Sequence, residues 1–305
     1  WDAKPALLSA GDIGKLSAIG YAFVPKRGTD EAESGQPASA GRDVKEMIGF
    51  ANKTEDAEGL VDTNPKQAEV LARQVIEKEP SFDGAWIALG QALENQKKVD
   101  EAQKSYLKAL EIDPGAYMAN FHLGNICLNK GDLTQAVARF EQALKFRPDA
   151  ASIHANWGNT LLLQGKLTPG VQHLQTAVEL HPGSMSVRLS LAEGLTQAGQ
   201  IDAAMAEVEG VLKLDPHSPG AHGQLGMLYF RKGNNEEGFK HLRRSLLLDP
   251  KDALMRYNLA VALEGIGRTE EAIQEYERSL NLNPNDPVTK KGLEEARKAL
   301  QRKRP

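Results

Sequence analysis

The chain repeats one pattern of apolar and polar positions every 34 residues. In residues 83–116, apolar residues recur at three- and four-residue spacing from Trp86 to Leu93, and a polar break follows at residues 95–98. The same spacing resumes from Ala102 to Leu110. Because this spacing places apolar side chains on one face of a helix, each repeat predicts two helices joined by a short turn.

A proline closes every unit at the same position. These residues are Pro80, Pro114, Pro148, Pro182, Pro216, Pro250 and Pro284. Proline lacks an amide donor and disfavours helix in the residue before it, so each of them predicts a helix end. Glycines at residues 131, 165, 199, 233 and 267 follow the first helix of their repeats, where a left-handed cap favours glycine. A period this strict indicates a stack of similar helix pairs.

The pattern resembles the tetratricopeptide repeat (TPR), whose consensus has Trp, Leu, Gly, Tyr, Ala, Phe, Ala and Pro at these offsets. The resemblance implies an all-α, right-handed TPR solenoid of antiparallel helix pairs. Six full repeats begin at Asp83, Tyr117, Ala151, Met185, Pro219 and Ala253, and a slot is a position counted from these starts. We predict a leader and flexible linker at 1–48, a degenerate TPR at 49–82, six repeats at 83–286, and a capping helix with a basic tail at 287–305.

Composition narrows the function classes. Lys and Arg number 37 against 41 Asp and Glu, a net charge of −4, which argues against a nucleic-acid scaffold. No apolar run reaches transmembrane length and no secretory signal is present, so no membrane partner is expected. The first residue is Trp1, which suggests a piece of a longer protein. The single cysteine, Cys127, occupies a slot that holds leucine in most sister repeats, and this favours an apolar thiol over a reactive one.

Motifs for chemistry are missing from the sequence. Nothing matches a phosphate loop, a dinucleotide fingerprint or a nucleophile elbow. The seven histidines show no i, i+4 pair with an intervening glutamate, and His154 and His222 occupy the slot of Trp86. We therefore predict no enzymatic activity, no cofactor and no metal for this chain.

The TPR resemblance implies that the first helices line a concave groove, which would bind a peptide segment or partner protein. Apolar side chains would anchor the ligand, and asparagines would bond its backbone, because an amide offers both donors and an acceptor. The alternative is that these asparagines cap or bridge neighbouring helices. The predicted contacts are Phe121, Asn125, Leu128, Asn156, Asn159, Leu162, Phe230 and Tyr257. The carboxylate clamp of chaperone-binding TPR domains is incomplete, because Phe121, Ser186 and Ser190 replace its cations.

The leader suggests an alternative function. Residues 16–21 (LSAIGY) and 42–48 (RDVKEMI) flank a Gly- and Pro-containing linker. This arrangement resembles the hinge of bacterial sulfatases that carry a C-terminal TPR tail, with Ile19, Val44 and Glu46 departing from the hinge pattern. The resemblance implies a docking or regulatory tail of such a hydrolase and an extracytoplasmic location. A free-standing adaptor would instead be cytoplasmic. Self-association through the degenerate front unit is a third hypothesis.

Overall fold

The structure, a computed structural model, describes residues 44–303, and this part of the chain is helical. The leader and linker up to residue 43, and with them most of the sulfatase-like hinge, lie outside the described residues. The described helices form two compact units, divided between Pro148 and Asp149.

The first unit contains six described helices. They are α1 (Val44–Leu60), α2 (Pro65–Lys78), α3 (Asp83–Asn95), α4 (Val99–Ile112), α5 (Tyr117–Asn129) and α6 (Leu133–Phe146). The degenerate front repeat consists of α1 and α2, and Ala68, Ala72 and Val75 of α2 are fully buried. One apolar cluster joins Met47 and Phe50 of α1 to Val75 and Ala85, so the front pair packs directly on the first full repeat.

The second unit contains nine described helices. They are α7 (Ala151–Leu163), α8 (Leu167–Leu180), α9 (Met185–Gln197), α10 (Ile201–Leu214), α11 (Pro219–Arg231), α12 (Asn235–Leu248), α13 (Ala253–Gly265), α14 (Thr269–Leu282) and α15 (Pro287–Lys303). The last helix, α15, packs Leu293 and Ala296 into the cluster that contains Tyr276, as expected of a capping helix. Thr289 is buried in α15, whereas the neighbouring Val288 is 56% exposed.

Local sequence explains where the helices begin and end. Side chains of Asn64, Asp132 and Asp252 cap their helices by accepting the backbone N–H three residues later. The glycine just past the first helix has a positive φ in five repeats, for example 80° at Gly131, which confirms the predicted left-handed cap. Lys97 adopts the same conformation in the first full repeat, with φ 63°.

Glycine at slot 8 lets the two helices of a repeat approach closely. A methyl group on Gly90 would lie 2.4 Å from the Tyr106 ring, and one on Gly124 would lie 2.5 Å from the Phe140 ring. Tyr106 and Phe140 occupy slot 24 on the second helix and are fully buried. The bulky residue on one helix therefore fits over the glycine of the other, and the predicted all-α TPR fold is confirmed.

Two further sequence predictions concern individual features. Cys127 is half-buried, and burial followed by the charge of Asp132 raises the pKa of its thiol, which favours the neutral form. None of the helices described at residues 44–303 combines the length and hydropathy that a membrane span requires.

Candidate functional site

Three successive first helices of the second unit enclose a depression of about 430 Å³. It lies between α9, α11 and α13 and is called here the apolar depression. Its lining residues are Glu193, Thr196, Gly220, Gly223, Gln224, Met227, Leu228, Arg231, Asp252, Leu254, Met255 and Asn258. First helices line it because slots 2, 5, 6 and 9 recur on the same helix face in each repeat.

The apolar depression combines exposed hydrocarbon with a few polar groups. Leu254 is 66% exposed, an unusual state for a leucine on a helix that buries Met255 and Leu259. Arg231 crosses from α11 to α9 and donates a hydrogen bond to the Thr196 carbonyl oxygen at 3.4 Å. Gln224 buries its side-chain oxygen and, within the described residues, receives no hydrogen bond there. An apolar surface with a few polar groups is typical of a ligand-binding pocket.

Two glycines make room for this depression. Gly220 occupies slot 2 and Gly223 occupies slot 5, and only the fifth repeat has glycine at both. The Met255 side chain enters the space beside Gly223, where an added methyl group would lie 2.2 Å from its terminal carbon. Gly220, Gly223 and Gln224 are not among the predicted contacts, although the paired glycines at slots 2 and 5 were a readable signal.

The first unit contains a larger depression of about 580 Å³ between α1, α3 and α5, called here the polar depression. Its polar side chains bond to one another. The Tyr106 hydroxyl donates to Glu94, whose carboxylate also lies 2.9 Å from Nδ1 of His122. Asn95 donates to the Val61 carbonyl and to Asp62, each at 2.9 Å. Most of these hydrogen-bonding groups are therefore already occupied within the protein.

Acidic groups dominate the polar depression. Burial raises the pKa of Glu58, and the neighbouring Glu55 raises it further. Burial, followed by the charge of Glu94, raises the pKa of Tyr106 far above its usual value, so its hydroxyl stays protonated as a donor. This surface differs from the apolar depression, in which exposed leucine and methionine side chains predominate.

The eight contacts predicted from sequence lie on first helices, as their slots require. Phe121, Asn125 and Leu128 are on α5, Asn156, Asn159 and Leu162 on α7, Phe230 on α11 and Tyr257 on α13. All eight are half-buried. None of them lines either depression.

The larger predicted anchors pack on their own repeats. Leu162 lies over Gly170 and reaches Gly194, where added methyl groups would lie 2.8 and 2.9 Å from it. Phe230 lies over Gly238 in the same way and meets Phe239 edge-on, with ring centroids 4.8 Å apart. A glycine on the second helix thus draws a slot-12 side chain into the helix–helix seam.

The histidines form two equivalent pairs across their helix pairs. Nδ1 of His154 lies 3.0 Å from Nδ1 of His173, and Nδ1 of His222 lies 3.0 Å from Nδ1 of His241. The ring centroids of each pair are 5.2 Å apart, so the two nitrogens face each other at hydrogen-bond distance. Within the described residues, no group of three or more potential ligands could hold a metal ion.

Comparison with known families places the repeats in one class. A model described as "TPR repeat" matches residues 124–165. Four models described as "Tetratricopeptide repeat" match residues 84–116, 105–138, 161–223 and 219–285. Together these matches are continuous from residue 84 to residue 285. Residues 84–285 are therefore tetratricopeptide repeats, and TPR arrays mediate protein–protein interactions. The comparison with curated proteins gives no significant match.

Solved structures show the same fold. YrrB, described as a TPR protein with an unusual peptide-binding site, is 25% identical with a TM-score of 0.55, and the match covers 60% of this chain and 95% of YrrB. A TPR protein from Parabacteroides merdae is 17% identical with a TM-score of 0.60, over 82% of this chain and 99% of that protein. The APC/C hetero-tetramer Cut9–Hcn1 gives 18% identity and a TM-score of 0.63, over 85% of this chain but 50% of that chain.

Proposed function

We propose that this chain binds a peptide segment of a partner protein through the apolar depression of its second unit. The observation that carries the proposal is the exposed Leu254, which stands with Met227 among polar groups between three first helices. An apolar side chain of the peptide would cover Leu254 and Met227. Burying an apolar side chain contributes about 1.5–3 kcal/mol to binding, and the polar contacts would add to it.

Polar groups around the depression would fix the peptide backbone. Asn258 and Gln224 both occupy slot 6, and their amides can bond to peptide N–H and C=O groups. We also propose that the half-exposed amides of Asn156 and Asn159 on α7 make such contacts. In the first unit, Asn125 would act in the same way beside Phe121 and Leu128. YrrB, which has a peptide-binding site, supports this type of ligand.

The decisive experiment is a peptide-library selection followed by matched variants. Leu254→Asp should weaken the selected peptide at least tenfold, because it places a charge where an apolar side chain would be buried. Leu254 is 66% exposed, so the substitution leaves the buried core untouched. The control is Leu163→Asp, which alters a 67% exposed leucine of α7 that does not line the depression.

The outcomes separate the possible binding surfaces. Equal binding by Leu254→Asp and the wild type would reject the apolar depression as the site. If the double variant Asn156→Ala/Asn159→Ala loses binding while Leu254→Asp retains it, the peptide lies along α7 instead. Circular dichroism of each variant verifies that the helices are intact.

The alternative, a docking tail of a sulfatase-like hydrolase, rests on the hinge resemblance of residues 16–21 and 42–48 alone. Sequencing the coding region upstream of Trp1 tests it. A continuous frame containing the motif C/S-x-P-x-R would support this function, and a start codon close to Trp1 would reject it. Self-association through α1 and α2 stays a separate prediction, which sedimentation at increasing protein concentration would test.

A further inference from the structure

The exposed face of α12 departs from the repeat pattern. Slot 25 holds Leu107, Glu141, Gln175, Glu209 and Glu277 in the other five repeats, but Arg243 in the fifth. Slot 29 holds Glu111, Lys145, Glu179, Lys213 and Asn281 elsewhere, but Leu247 in the fifth. Five repeats fold with acidic or neutral residues at slot 25 and with polar residues at slot 29. The fold therefore does not require Arg243 or Leu247.

These residues belong to a second depression of about 430 Å³, lined by His222, Lys240, His241, Arg243, Arg244 and Leu247 and called here the basic patch. Leu247 is 69% exposed, more than any other large apolar residue of the described chain. Lys240, Arg243 and Arg244 supply three permanent positive charges around it. The basic patch therefore presents one exposed apolar side chain beside three positive charges.

The cations of the basic patch are largely free to receive a ligand. Arg243 forms no hydrogen bond or ion pair within the described residues, and its guanidinium carbon lies 5.9 Å from the centre of the Phe239 ring. The guanidinium of Arg244 lies 3.1 Å from Nδ1 of His217, within hydrogen-bond distance. Lys240 bonds Glu237 at 3.1 Å, but its side chain is 70% exposed, and exposed ion pairs contribute little.

Acidic groups flank the basic patch without neutralising it. Glu237 forms an ion pair with Lys240, and Glu209 raises the pKa of His241. Glu271 lies near Arg243 but forms its ion pair with Arg268. The guanidinium carbon of Arg268 in turn lies 5.6 Å from the centre of the Phe239 ring. The local charge is therefore positive on a chain whose net charge is −4.

We propose that the basic patch docks an acidic segment of a partner protein, one that carries an apolar side chain between its carboxylates. Arginine binds carboxylates in a bidentate manner, so Arg243 and Arg244 would bind the acidic residues. Leu247 would cover the apolar side chain. This surface lies mainly on α12, a second helix, and shares no lining residue with the apolar depression, so the two surfaces would bind separate partner segments.

The test uses a short synthetic peptide of Asp, Glu, Gly and Ser with one central leucine. Two matched peptides replace the leucine with serine, or the acidic residues with their amides. Calorimetric titration should show binding of the first peptide alone, weakened by added salt because the charges are exposed. The double variant Arg243→Glu/Leu247→Lys should reduce the affinity at least tenfold.

This double variant is compatible with the fold, because Glu141 and Lys145 occupy the same two slots in the second repeat. The matched control is Gln175→Glu/Glu179→Lys, which installs the same residues at the same slots of the third repeat and should bind like the wild type. Leu254→Asp should also bind the acidic peptide normally, so this proposal and the apolar depression are tested independently.

Three results would overturn the proposal. The first is that wild-type protein does not bind the acidic leucine peptide, or that the double variant binds it equally well. The second is that the serine peptide binds as tightly as the leucine peptide, which would reduce the basic patch to a simple anion site. The third is that a single-stranded oligonucleotide competes more strongly than the peptide, which would assign the surface to nucleic acid.

Discussion

At the scale of single residues, one histidine of each pair has a pKa below its ordinary value. Burial, and then the charge of His154, lowers the pKa of His173. Burial also lowers the pKa of His241, and His222 and Lys240 lower it further, against Glu237 and Glu209, which raise it. His173 also stacks on Trp157, with ring centroids 4.0 Å apart, so protonation would place a charge within a packed stack.

These shifts predict a stability that depends on pH. A histidine whose pKa is lower in the folded state binds a proton more readily in the unfolded state. The free energy of unfolding should therefore decrease as the pH falls below 6.5, the ordinary value, and continue to decrease through the folded-state pKa. Well above pH 6.5 the contribution of His173 and His241 should be constant.

A variant taken from the chain's own repeats tests this prediction. The fourth repeat has Arg188 and Glu207 at slots 4 and 23, where the third repeat has His154 and His173. The substitutions His154→Arg and His173→Glu should reduce the pH dependence of urea unfolding. An unchanged slope between pH values above and below 6.5 would show that His173 does not cause it.

The contacts predicted from residue type and the lining of the apolar depression are different residues. The slots correctly placed Leu162 and Phe230 on first helices, but the glycines opposite them, Gly170 and Gly238, decide that both side chains pack inward. Each glycine lies on the second helix and the side chain it receives lies on the first, so their contact is seen only in the folded structure. Leu254, at slot 2 of the sixth repeat, stays exposed instead of packing between helices.

At the scale of helices, the residues at slots 8 and 20 set the distance between the two helices of a repeat. In the third and fifth repeats both slots hold glycine, and a methyl group on Gly158 would lie 2.9 Å from the Gly170 carbonyl oxygen. In the fourth and sixth repeats both slots hold alanine, so those backbones stand far enough apart for two methyl groups. Short histidines bridge the close pairs, and Arg–Glu pairs, such as Arg256 with Glu275 at 3.1 Å, bridge the wider ones.

Closing this space should destabilise the protein. Gly158→Ala should lower the free energy of unfolding by about 1–3 kcal/mol, because the methyl group meets backbone that cannot rotate away. The control is Gly183→Ala in the turn before α9, where nothing lies within 4 Å. Equal unfolding midpoints for the two variants in urea would contradict close packing at Gly158.

Helix boundaries were the most predictable feature of the elements. The seven prolines repeated every 34 residues predicted the second-helix ends; α2, for example, ends at Lys78, two residues before Pro80. Prolines and glycines act through their own backbone conformation, which needs no knowledge of distant contacts. The slot-15 conformation of Lys97 could not be read from its residue type, because lysine seldom adopts a positive φ.

At the scale of the whole molecule, the second unit carries its own hydrophobic clusters. One contains Leu174, Leu191, Val208 and Leu225, and another contains Leu242, Leu259, Tyr276 and Leu293. Because repeats contact mainly their neighbours, such a unit should retain its structure when expressed separately.

A fragment of residues 149–305 should therefore be helical and unfold cooperatively. Far-ultraviolet circular dichroism during urea titration is the measurement. Near-random-coil ellipticity without urea would show that the second unit depends on residues before Asp149. The fragment contains both the apolar depression and the basic patch, so it should bind both peptides described above.

The alternation of the bridging pairs suggests how the array grew. Equivalent residues of the two histidine pairs, His154 and His222, are 222 − 154 = 68 residues apart, which is two repeats. Slots 4, 8, 20 and 23 are His, Gly, Gly, His in repeats three and five, and Arg, Ala, Ala, Glu in repeats four and six. Duplication of a gene segment that encodes two repeats would produce this arrangement. Shortening or lengthening this part of the gene by 68 codons would preserve the alternation, whereas a change of 34 would interrupt it.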